Sequence, residues 1–581
     1  MKKGIICILV CMLMIATVML PAQGNLNINI STEKNNKTGD VLLADDVEWW
    51  PMFHHDVQIT GFTPADSPDT NNLLWDNQID KDIFFSSPAI VDDNLVIGTG
   101  HRYDYRSGEM SEYSDFYGTE IFMKDKTFFG IIKNEREPCT SEIGKIYCLN
   151  AKTGDILWDI ETNGSVFSSP TIENGRVYFV SADSNNYTGE LYCLNLDSGD
   201  EIWSLPVMTG FTTPTLYDGR IYLLTVNPVD YFGKLQCLDA ADGSEIWNHT
   251  TGYIDFSLYT APALSDGKVF FTSIDVTTGI HCKISCLNQS TGQLLWATKM
   301  SEMNFGYALS SPVIDNQKAY VISANTKGVD EFWCVLTCFD TSNGSILWNY
   351  TMKENTKDEL SFASPAVAYG NVYFTSSDDE FFYGKMSCLN GENGTVQWVY
   401  KSMDVYTLSS PVISSGKVFV GGVNVTAYEG NLYCFDAYTG GLLYTGFVDN
   451  NFIDSTPAIA DDVLYIDASS GKICAFKDIF KVGEIKGGLA TVKIDITNVG
   501  DTDIVDLHYN MSVVGGLFNH INKQMNTTIN VLEAQTSDTI RAAPIIGFGK
   551  IQVNITVTLD GVNPVIKKAE GFVFGIFVII K

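Results

Sequence analysis

Basic side chains are scarce in this 581-residue sequence. It holds 37 Lys and Arg against 69 Asp and Glu, for a formal net charge of −32, and charged residues make up only 18% of the chain. A nucleic-acid-binding protein needs a basic stripe to neutralise phosphates, and nothing in the sequence resembles one. The composition excludes a nucleic-acid partner and favours an acidic protein that its charge keeps soluble outside the cell.

Motifs of common catalytic and metal sites are also missing. The sequence has no GxSxG, HExxH, P-loop, EF-hand or CxxC pattern, and no two of its cysteines are adjacent. His54, His55 and Asp56 form a group that could hold a metal or transfer protons, but their place in a segment that leads into the repeats favours a structural role. No catalytic residue and no cofactor is predicted, and a metal is left open.

The longest apolar run lies at the start of the chain. Lysines precede the apolar segment Gly4–Leu20, which is the pattern of a signal peptide over residues 1–24. The run is marginal for a membrane span of about 20 residues, so a retained anchor is the less favoured alternative. Cys11 lacks the small residue that precedes a lipidated cysteine. We expect a linker over 25–48 and a mature chain, without a membrane span, that is secreted or held at the cell surface.

Asn-x-Ser/Thr sequons are frequent. On a secreted glycoprotein they are candidate glycan sites, against the alternative that a sequence rich in Asn and Thr produces them by chance. They include Asn163, Asn186, Asn248, Asn343, Asn349, Asn393, Asn424, Asn510, Asn526 and Asn554.

One line of sequence recurs seven times. Its first copy runs from Cys148 to Trp158, and every copy keeps Asn or Asp at the third position and Gly at the seventh. An Asx side chain that bonds back to the backbone and a Gly that supplies a positive φ are typical of a hairpin turn. The turn glycines are Gly154, Gly199, Gly243, Gly292, Gly344, Gly394 and Gly440, and the later copies end at Trp203, Trp247, Trp296, Trp348, Trp398 and Tyr444.

A second line, a small residue followed by Pro, precedes a turn and an alternating strand in each unit. Each unit therefore holds four short strands, and four-stranded units of about 45 residues predict the blades of a β-propeller. The line occurs at Ser87-Pro88, Ser169-Pro170, Thr213-Pro214, Ala261-Pro262, Ser311-Pro312, Ser364-Pro365, Ser410-Pro411 and Thr456-Pro457.

The Pro line occurs eight times, whereas the hairpin line occurs seven times. The last unit has a shortened third strand at Lys472–Phe476 and no following Trp strand, whereas an orphan Leu-Leu-Trp ends at Trp75 before the first Pro line. We predict that Trp75 lies on the outer strand of the last blade, so that an N-terminal strand closes the ring and removes its open edges. The predicted fold is all-β, with an eight-bladed propeller over residues 49–478.

These residues resemble the pyrroloquinoline-quinone (PQQ) repeat family, whose tryptophan-docking motif the seven hairpins match with Cys in an Ala position and Tyr444 in one Trp position. The segment Trp50–Asp56, with Thr60-Gly61, is similar to the N-terminal signature of PQQ-like propellers. The resemblance implies that each Trp packs between neighbouring blades. The family includes BamB-like non-enzymatic scaffolds and quinoprotein alcohol dehydrogenases that use PQQ and Ca²⁺. The dehydrogenases' adjacent cysteine pair is missing here, which favours a scaffold.

Thirteen cysteines would suggest disulfides in a secreted protein. Two lie in the signal segment, and eight occupy one repeated strand position, where we interpret them as small buried hydrophobes. Cys282 and Cys334 each precede a repeat cysteine by four residues, about 13 Å along a strand and too far for a disulfide within it. The pairing of Cys139, Cys282 and Cys334 stays open. The repeated cysteines are Cys148, Cys193, Cys237, Cys286, Cys338, Cys388, Cys434 and Cys474.

Departures from the repeat are the candidate binding residues. Long insertions in a compact domain are often functional, and the first unit carries one over residues 101–143 that could shape a binding face or be a decorative hairpin. Aromatics three residues before Pro could ring a channel mouth, although packing between blades is favoured. The candidates are Tyr103, Tyr105, Tyr113, Phe116 and Tyr117 in the insertion, and Phe85, Phe167, Phe211, Tyr259 and Phe362 before the prolines.

The repeat stops after Lys477. Residues 479–581 are rich in Ile and Val with alternating runs and turns, which predicts a small Ig-like β-sandwich. The predicted function is a secreted or surface-displayed, non-catalytic binding scaffold for protein or glycan partners at the cell envelope. The alternative is a PQQ- and calcium-dependent quinoprotein alcohol dehydrogenase.

Overall fold

A computed structural model gives the architecture of the chain. It describes residues 49–80, 83, 86–99, 121–123, 126–128, 144–183, 188–208, 212–226, 232–253, 260–275, 281–300, 305–308, 310–327, 331–354, 357–361, 363–378, 383–403, 405–406, 409–424, 426–427, 429–453, 455–500, 502–560 and 562–580. The fold is all-β, and one 3₁₀ turn, Leu517–Asn519, is the only helix in these ranges.

Each Pro line begins an antiparallel sheet of four main strands, which we call repeats 1 to 8. Repeat 1 contains Ala89–Val91, Asn94–Thr99, Lys145–Asn150 and Ile156–Glu161. Repeat 2 contains Thr171–Glu173, Arg176–Asp183, Thr188–Asn195 and Glu201–Met208. Repeat 3 contains Thr215–Tyr217, Arg220–Val226, Phe232–Asp239 and Glu245–Tyr253, and repeat 4 contains Ala263–Ser265, Lys268–Asp275, His281–Asn288 and Leu294–Lys299. A single pair, Tyr253 with Ile274, joins repeats 3 and 4.

The remaining repeats follow the same order, and repeats 5 to 7 add short strands. Repeat 5 contains Val313–Asp315, Lys318–Lys327, Glu331–Asp340 and Ile346–Thr351, with Phe305–Ala308 alongside. Repeat 6 contains Ala366–Ala368, Asn371–Asp378, Tyr383–Asn390 and Val396–Met403, with Lys353–Glu354 and Lys357–Leu360 alongside. Repeat 7 contains Val412–Ser414, Lys417–Asn424, Glu429–Asp436 and Leu442–Asp449, with Val405–Tyr406 alongside. Repeat 8 contains Ala458–Ala460, Val463–Asp467, Lys472–Lys477 and Leu73–Gln78.

The hairpin turns show why the repeated line folds locally. In repeat 1 the Asn150 side-chain oxygen accepts the backbone N–H groups of Lys152 and Thr153 at 2.9 and 3.1 Å. Gly154 has a φ of +77° and donates its N–H to the Asn150 carbonyl. The Asx side chain and the glycine together make this a tight turn at little steric cost.

The tryptophans lie against the turn glycines of the following repeat. A Cβ atom on Gly292 would stand 2.5 Å from the Trp247 ring, so only a glycine permits this approach. Most of the indoles also donate an N–H to a backbone carbonyl of the next repeat, at 2.8–3.2 Å. The contacting pairs are Trp75–Gly154, Trp158–Gly199, Trp203–Gly243, Trp247–Gly292, Trp296–Gly344, Trp348–Gly394 and Trp398–Gly440.

A series of hydroxyls also joins neighbouring repeats at the Pro line. In six of the eight repeats, the residue before Pro donates its backbone N–H to the side-chain hydroxyl of the equivalent residue in the next repeat. Ala261 has no hydroxyl and interrupts the series after Thr213. The observed bonds, 2.9–3.0 Å long, are Ser87 to Ser169, Ser169 to Thr213, Ala261 to Ser311, Ser311 to Ser364, Ser364 to Ser410 and Thr456 to Ser87.

Repeat 8 joins the two ends of the repeated region. Leu73–Gln78 pairs antiparallel with Lys472–Lys477, and Trp75 lies opposite Ala475. The Asp478 carboxylate accepts the backbone N–H groups of Asp69 and Thr70 at 2.8 and 2.9 Å. Burial raises the pKa of Asp478 to about 6. One apolar core cluster contains side chains of repeats 1, 7 and 8, so repeats 8 and 1 pack together.

Residues after Lys477 form two further antiparallel sheets around their own apolar core. The smaller contains Phe480–Val482, Lys486–Gly487, Val492–Asn498 and Ser537–Ala542. The larger, which we call the long sheet, contains Ile504–Gly515, Ile521–Leu532, Gly547–Leu559, Val562–Gly575 and Phe577–Ile580. Alternating residues of the long strands are buried and exposed, which is the pattern of a sheet with one solvated face. Lys481 binds Asp66 and Asp462, and Lys567 binds Asp69, so ion pairs connect these sheets to the repeats.

The cysteines of the described residues are buried free thiols, and those at the repeated position pack in the cores. Burial raises the pKa of Cys148 to about 12, which keeps it a neutral thiol. Cys282 and Cys334 are free as well. Cys139 lies outside the described residues.

Candidate functional site

The segment Trp50–Thr63, which we call the axial segment, crosses the first strands of successive repeats. The second residue after Pro donates its backbone N–H to a carbonyl of this segment in repeat after repeat, so the segment follows the innermost strands. The bonds run from Ile90 to Trp50, Ile172 to Pro51, Leu264 to Val57, Ile314 to Gln58, Val367 to Thr60 and Ile413 to Gly61, at 2.7–2.9 Å. The axial segment therefore borders the first strands of six of the eight repeats.

His54 is the most deeply buried titratable group of the axial segment. Its ring is fully inaccessible, stacks on Phe53 and has Nδ1 3.3 Å from the Ile59 carbonyl oxygen. Desolvation lowers the pKa of His54 to about 4, so the ring is neutral at physiological pH. Gly61 approaches the same ring, since its Cβ would stand 3.1 Å from Nδ1.

Asp56 organises the turn that follows. Its carboxylate accepts the backbone N–H groups of Gln58 and Thr60 at 2.9 and 3.1 Å and the Thr60 hydroxyl. His55 lies 3.7 Å from the same carboxylate. These contacts hold the backbone of the axial segment in its turn.

Few of the sequence-predicted binding residues lie in the described part of the chain. Phe167 is half-buried in the connection between repeats 1 and 2. Ile121–Met123 and Lys126–Phe128 pair as a hairpin within the insertion. The other candidates, Tyr103, Tyr105, Tyr113, Phe116, Tyr117, Phe85, Phe211, Tyr259 and Phe362, lie outside the described residues.

In the sequence, both groups of candidates fall in connections between strands. Strands alternate in direction within a repeat, so the connection between the second and third strands leaves from the same end as the connection to the next repeat. Residues 101–143 join Asn94–Thr99 to Lys145–Asn150, the second and third strands of repeat 1. The aromatics before Pro belong to the connections between repeats.

The outer strands carry a feature that the sequence analysis missed. Large aliphatic residues just before the tryptophans, and before Tyr444, are 39–50% exposed, and they recur on the fourth main strand of each repeat. The recurring pair before Trp was the available signal, but the sequence alone does not show which side of the strand is covered. This aliphatic belt consists of Leu73, Leu74, Ile156, Leu157, Ile202, Ile246, Leu294, Leu295, Ile346, Leu347, Val396, Leu442 and Leu443.

Among the described residues, no group of three or more His, Cys, Asp or Glu side chains could hold a metal ion. The most buried ion pair, Lys385 with Glu359, is internally satisfied by Ser376, which donates to the carboxylate at 3.0 Å. In the same ranges, no helix is both long and apolar enough to pass through a bilayer.

Comparison with known proteins identifies a matching family and several relatives of this chain. The family described as "Outer membrane protein assembly factor BamB" matches residues 133–188, 184–273 and 232–479, more than half of the chain. BamB of Yersinia pestis is 24% identical over 225 residues, covering 37% of this chain and 49% of that protein. BamB of Shewanella oneidensis is 24% identical over 344 residues, covering 57% and 66%. The chain thus spans about half the length of several curated relatives that it matches.

Solved structures agree on the fold. The quinohemoprotein alcohol dehydrogenase of Comamonas testosteroni superposes with a TM-score of 0.51 at 11% identity, covering 76% of this chain and 83% of that one. Identity at this level shows the fold alone. The repeated sheets and their tryptophan–glycine contacts define the class of PQQ-like repeat propellers. Within that class, the chain belongs to the BamB family, which confirms the resemblance seen in the sequence.

Proposed function

We propose that the chain is a non-catalytic scaffold that binds protein partners at the cell envelope. The proposed architecture is an eight-bladed propeller over 49–478 followed by an Ig-like sandwich. The aliphatic belt supports the proposal most directly, because exposed apolar residues that recur along open strand edges are the ordinary means of docking another chain. Membership of the BamB family supports the same class of function.

Site-directed photocrosslinking tests the belt. A crosslinker placed at Leu157 or Leu295 in the native cell envelope should capture defined protein partners. The control position is Val505, which has similar exposure on the C-terminal sheets. Equal crosslinking at belt and control positions would contradict the proposal.

Partner selection is proposed to lie in residues 101–143 and the aromatics before Pro, because a long insertion in a compact domain is often functional and aromatic side chains suit a binding surface. Deleting 101–143 should abolish or change the captured partners while the repeats still fold. Capture of the same partners at the same yield would remove the insertion from the site. Binding of glycans instead of proteins would show as retention on immobilised envelope polysaccharide.

The dehydrogenase alternative has its own test. PQQ and Ca²⁺ are added to the purified protein, and tryptophan fluorescence and dye reduction with alcohols are followed. We expect neither quenching nor turnover. Tight binding with turnover would replace the scaffold proposal.

A further inference from the structure

One end of the C-terminal sheets is strongly apolar and carries a single charged side chain. Residues 488–491, 515–520, 543–550 and 571–580, which we call the apolar end, meet there because they connect or end strands on the same side. These four segments contain no Asp or Glu, and Lys550 is their only Lys or Arg. Ten of the large exposed apolar side chains lie in these four segments. Together they offer on the order of 1000 Å² of apolar surface, whereas a typical monomer exposes a few hundred Å² in one patch.

The exposed phenylalanines form a continuous band across the long sheet. Phe548 pairs with Phe574, and Phe574 pairs with Phe577, so the three lie side by side on one face. Leu489 pairs with Phe577 and extends the row. These four residues are 37–65% exposed. In a folded protein such a row is normally covered by another layer, and here it faces outward.

Phe518 projects beyond this band. It is 99% exposed and has a φ of +58°, a conformation that is unusual for a bulky side chain. The turn that contains it is held against the start of the strand with Phe548, since the backbone N–H of Gly516 donates to the Lys550 carbonyl at 2.7 Å. Strain and full exposure together at one aromatic residue indicate a functional placement.

Along the strand Gly547–Leu559, the outward side chains change from apolar to charged and then to uncharged polar. Its outward side chains run from Phe548 through Lys550 to Gln552 and Asn554, and each step advances about 7 Å. An apolar tip is thus followed by one cation and then by uncharged amide groups. An interfacial anchor in a bilayer buries its apolar part about 5–10 Å deep below the headgroups, and this spacing matches that depth.

The charge distribution favours the same ligand. Residues 479–581 contain nine acidic and nine basic residues, so the whole net charge of −32 resides in residues 1–478. The strand of Gly547–Leu559 is about 40 Å long, and Lys567 near its other end contacts Asp69 of the repeat region. The apolar end, whose one charged side chain is Lys550, therefore lies remote from the acidic repeats. An anionic bilayer surface would repel those repeats.

We propose that the apolar end inserts into the surface of a lipid bilayer and holds the acidic propeller above it. The occupant is the lipid interface, because the end is a projecting tip of Phe, Ile and Leu with one cation and no acidic residue to pair with a protein partner. This attachment does not depend on the proposed scaffold function, since a scaffold could be anchored by other means.

Vesicle flotation tests the proposal. Glu48–Lys581 forms one compact unit, so residues 25–581 are used and the apolar run Gly4–Leu20 cannot contribute. The vesicles are phosphatidylcholine with a minority of phosphatidylglycerol. We expect the protein to float with them and to stay bound in high salt. The double variant Phe518→Ser, Phe577→Ser should partition about ten-fold less.

The matched control is Phe447→Ser, which removes a phenylalanine of similar exposure (51%) from the repeat region. It should float like the unchanged protein. A protein that does not float, or a double variant that floats equally well, overturns the proposal. Apolar-end-dependent dimers in the absence of lipid, seen by analytical ultracentrifugation, would assign the surface to a second copy instead.

Insertion also has a spectroscopic signature. Every native tryptophan lies at or before Trp398, outside the C-terminal sheets. Brominated lipids should therefore leave native fluorescence unchanged and quench the added emission of Phe518→Trp. Quenching of the native tryptophans would place the repeat region, rather than the apolar end, against the membrane.

Discussion

Glycine and tryptophan act as a pair at the boundaries between repeats. Each indole occupies the space that a side chain at the turn glycine would need, and most indoles also bond to the same turn through Nε1. In repeat 7 Tyr444 replaces Trp, and its hydroxyl donates to the Pro68 carbonyl instead, at 3.0 Å. This substitution occurs where repeat 8 has no hairpin turn to receive an indole.

Gly292→Ala should show how much the packing against tryptophan contributes. The new methyl group would contact the Trp247 ring, and the alanine would have to adopt a positive φ. We expect the free energy of unfolding to fall by about 2–4 kcal/mol. Gly267→Ala is the control, because Gly267 has a φ of +69° but nothing within 4 Å of its Cβ direction. It should cost about 1 kcal/mol. Equal denaturation midpoints for the two variants would show that backbone strain, not the indole, decides the cost.

His54 should make stability depend on pH. Its folded-state pKa of about 4 lies below its ordinary value of 6.5, so the unfolded chain binds a proton first as the pH falls. The contribution of neutral His54 to the free energy of unfolding is complete above pH 6.5. It is lost as the pH falls from 6.5 to 4, a decrease of about 3 kcal/mol. His54→Gln should flatten the unfolding free energy over this range relative to the unchanged chain. His508→Gln, at an exposed histidine, should not, and an unchanged slope in His54→Gln would contradict the assignment.

At the scale of elements, hydrogen bonds across the Pro line tie one first strand to the next. Each first strand has only three residues, for example Thr171–Glu173, and pairs with one neighbour inside its own sheet. The hydroxyl bonds and the axial segment supply further contacts on its inner side. Short inner strands are therefore stable because of contacts outside their sheet.

Ala261→Ser should restore the interrupted hydroxyl series. The new hydroxyl is placed to accept the Thr213 backbone N–H, with an expected gain of about 1 kcal/mol. Ser311→Ala is the opposite change, since it removes the acceptor of the Ala261 N–H, and should cost about 1–3 kcal/mol. Both are read from denaturant midpoints. A loss of stability in Ala261→Ser would mean that the site has no room for the hydroxyl.

At the scale of the whole molecule, residues 50–78 complete the last repeat and bond to the first strands of six repeats. The same stretch of chain contributes the axial segment, the backbone bound by Asp478, and the outer strand with Trp75. Residues far apart in sequence thus depend on one another for stability, and the C-terminal sheets join this assembly through Lys481 and Lys567.

Trp75→Ala should weaken the joint between repeats 8 and 1. Removing a buried indole and its 2.8 Å bond to the Ala151 carbonyl should cost about 3–5 kcal/mol. It should also expose residues 49–78 to limited proteolysis. Trp203→Ala, at a joint between consecutive repeats, is the control and should lose stability without releasing this segment. Equal protection of residues 49–78 in both variants would show that the joint does not hold the ring closed.

The sequence by itself determined the all-β class and the register of the repeats, because turn chemistry and strand alternation are local and recur many times. It indicated the buried role of the repeat cysteines for the same reason. Its resemblance to a known repeat motif pointed to the family. Only the tertiary structure decided the path of Trp50–Thr63, the hydroxyl series, the aliphatic belt and the apolar end. Those features bring together residues distant in sequence, such as Phe62 and Ile413 or Leu489 and Phe577. Alternation shows that one face of a strand is apolar, and only the packed fold shows whether that face is covered.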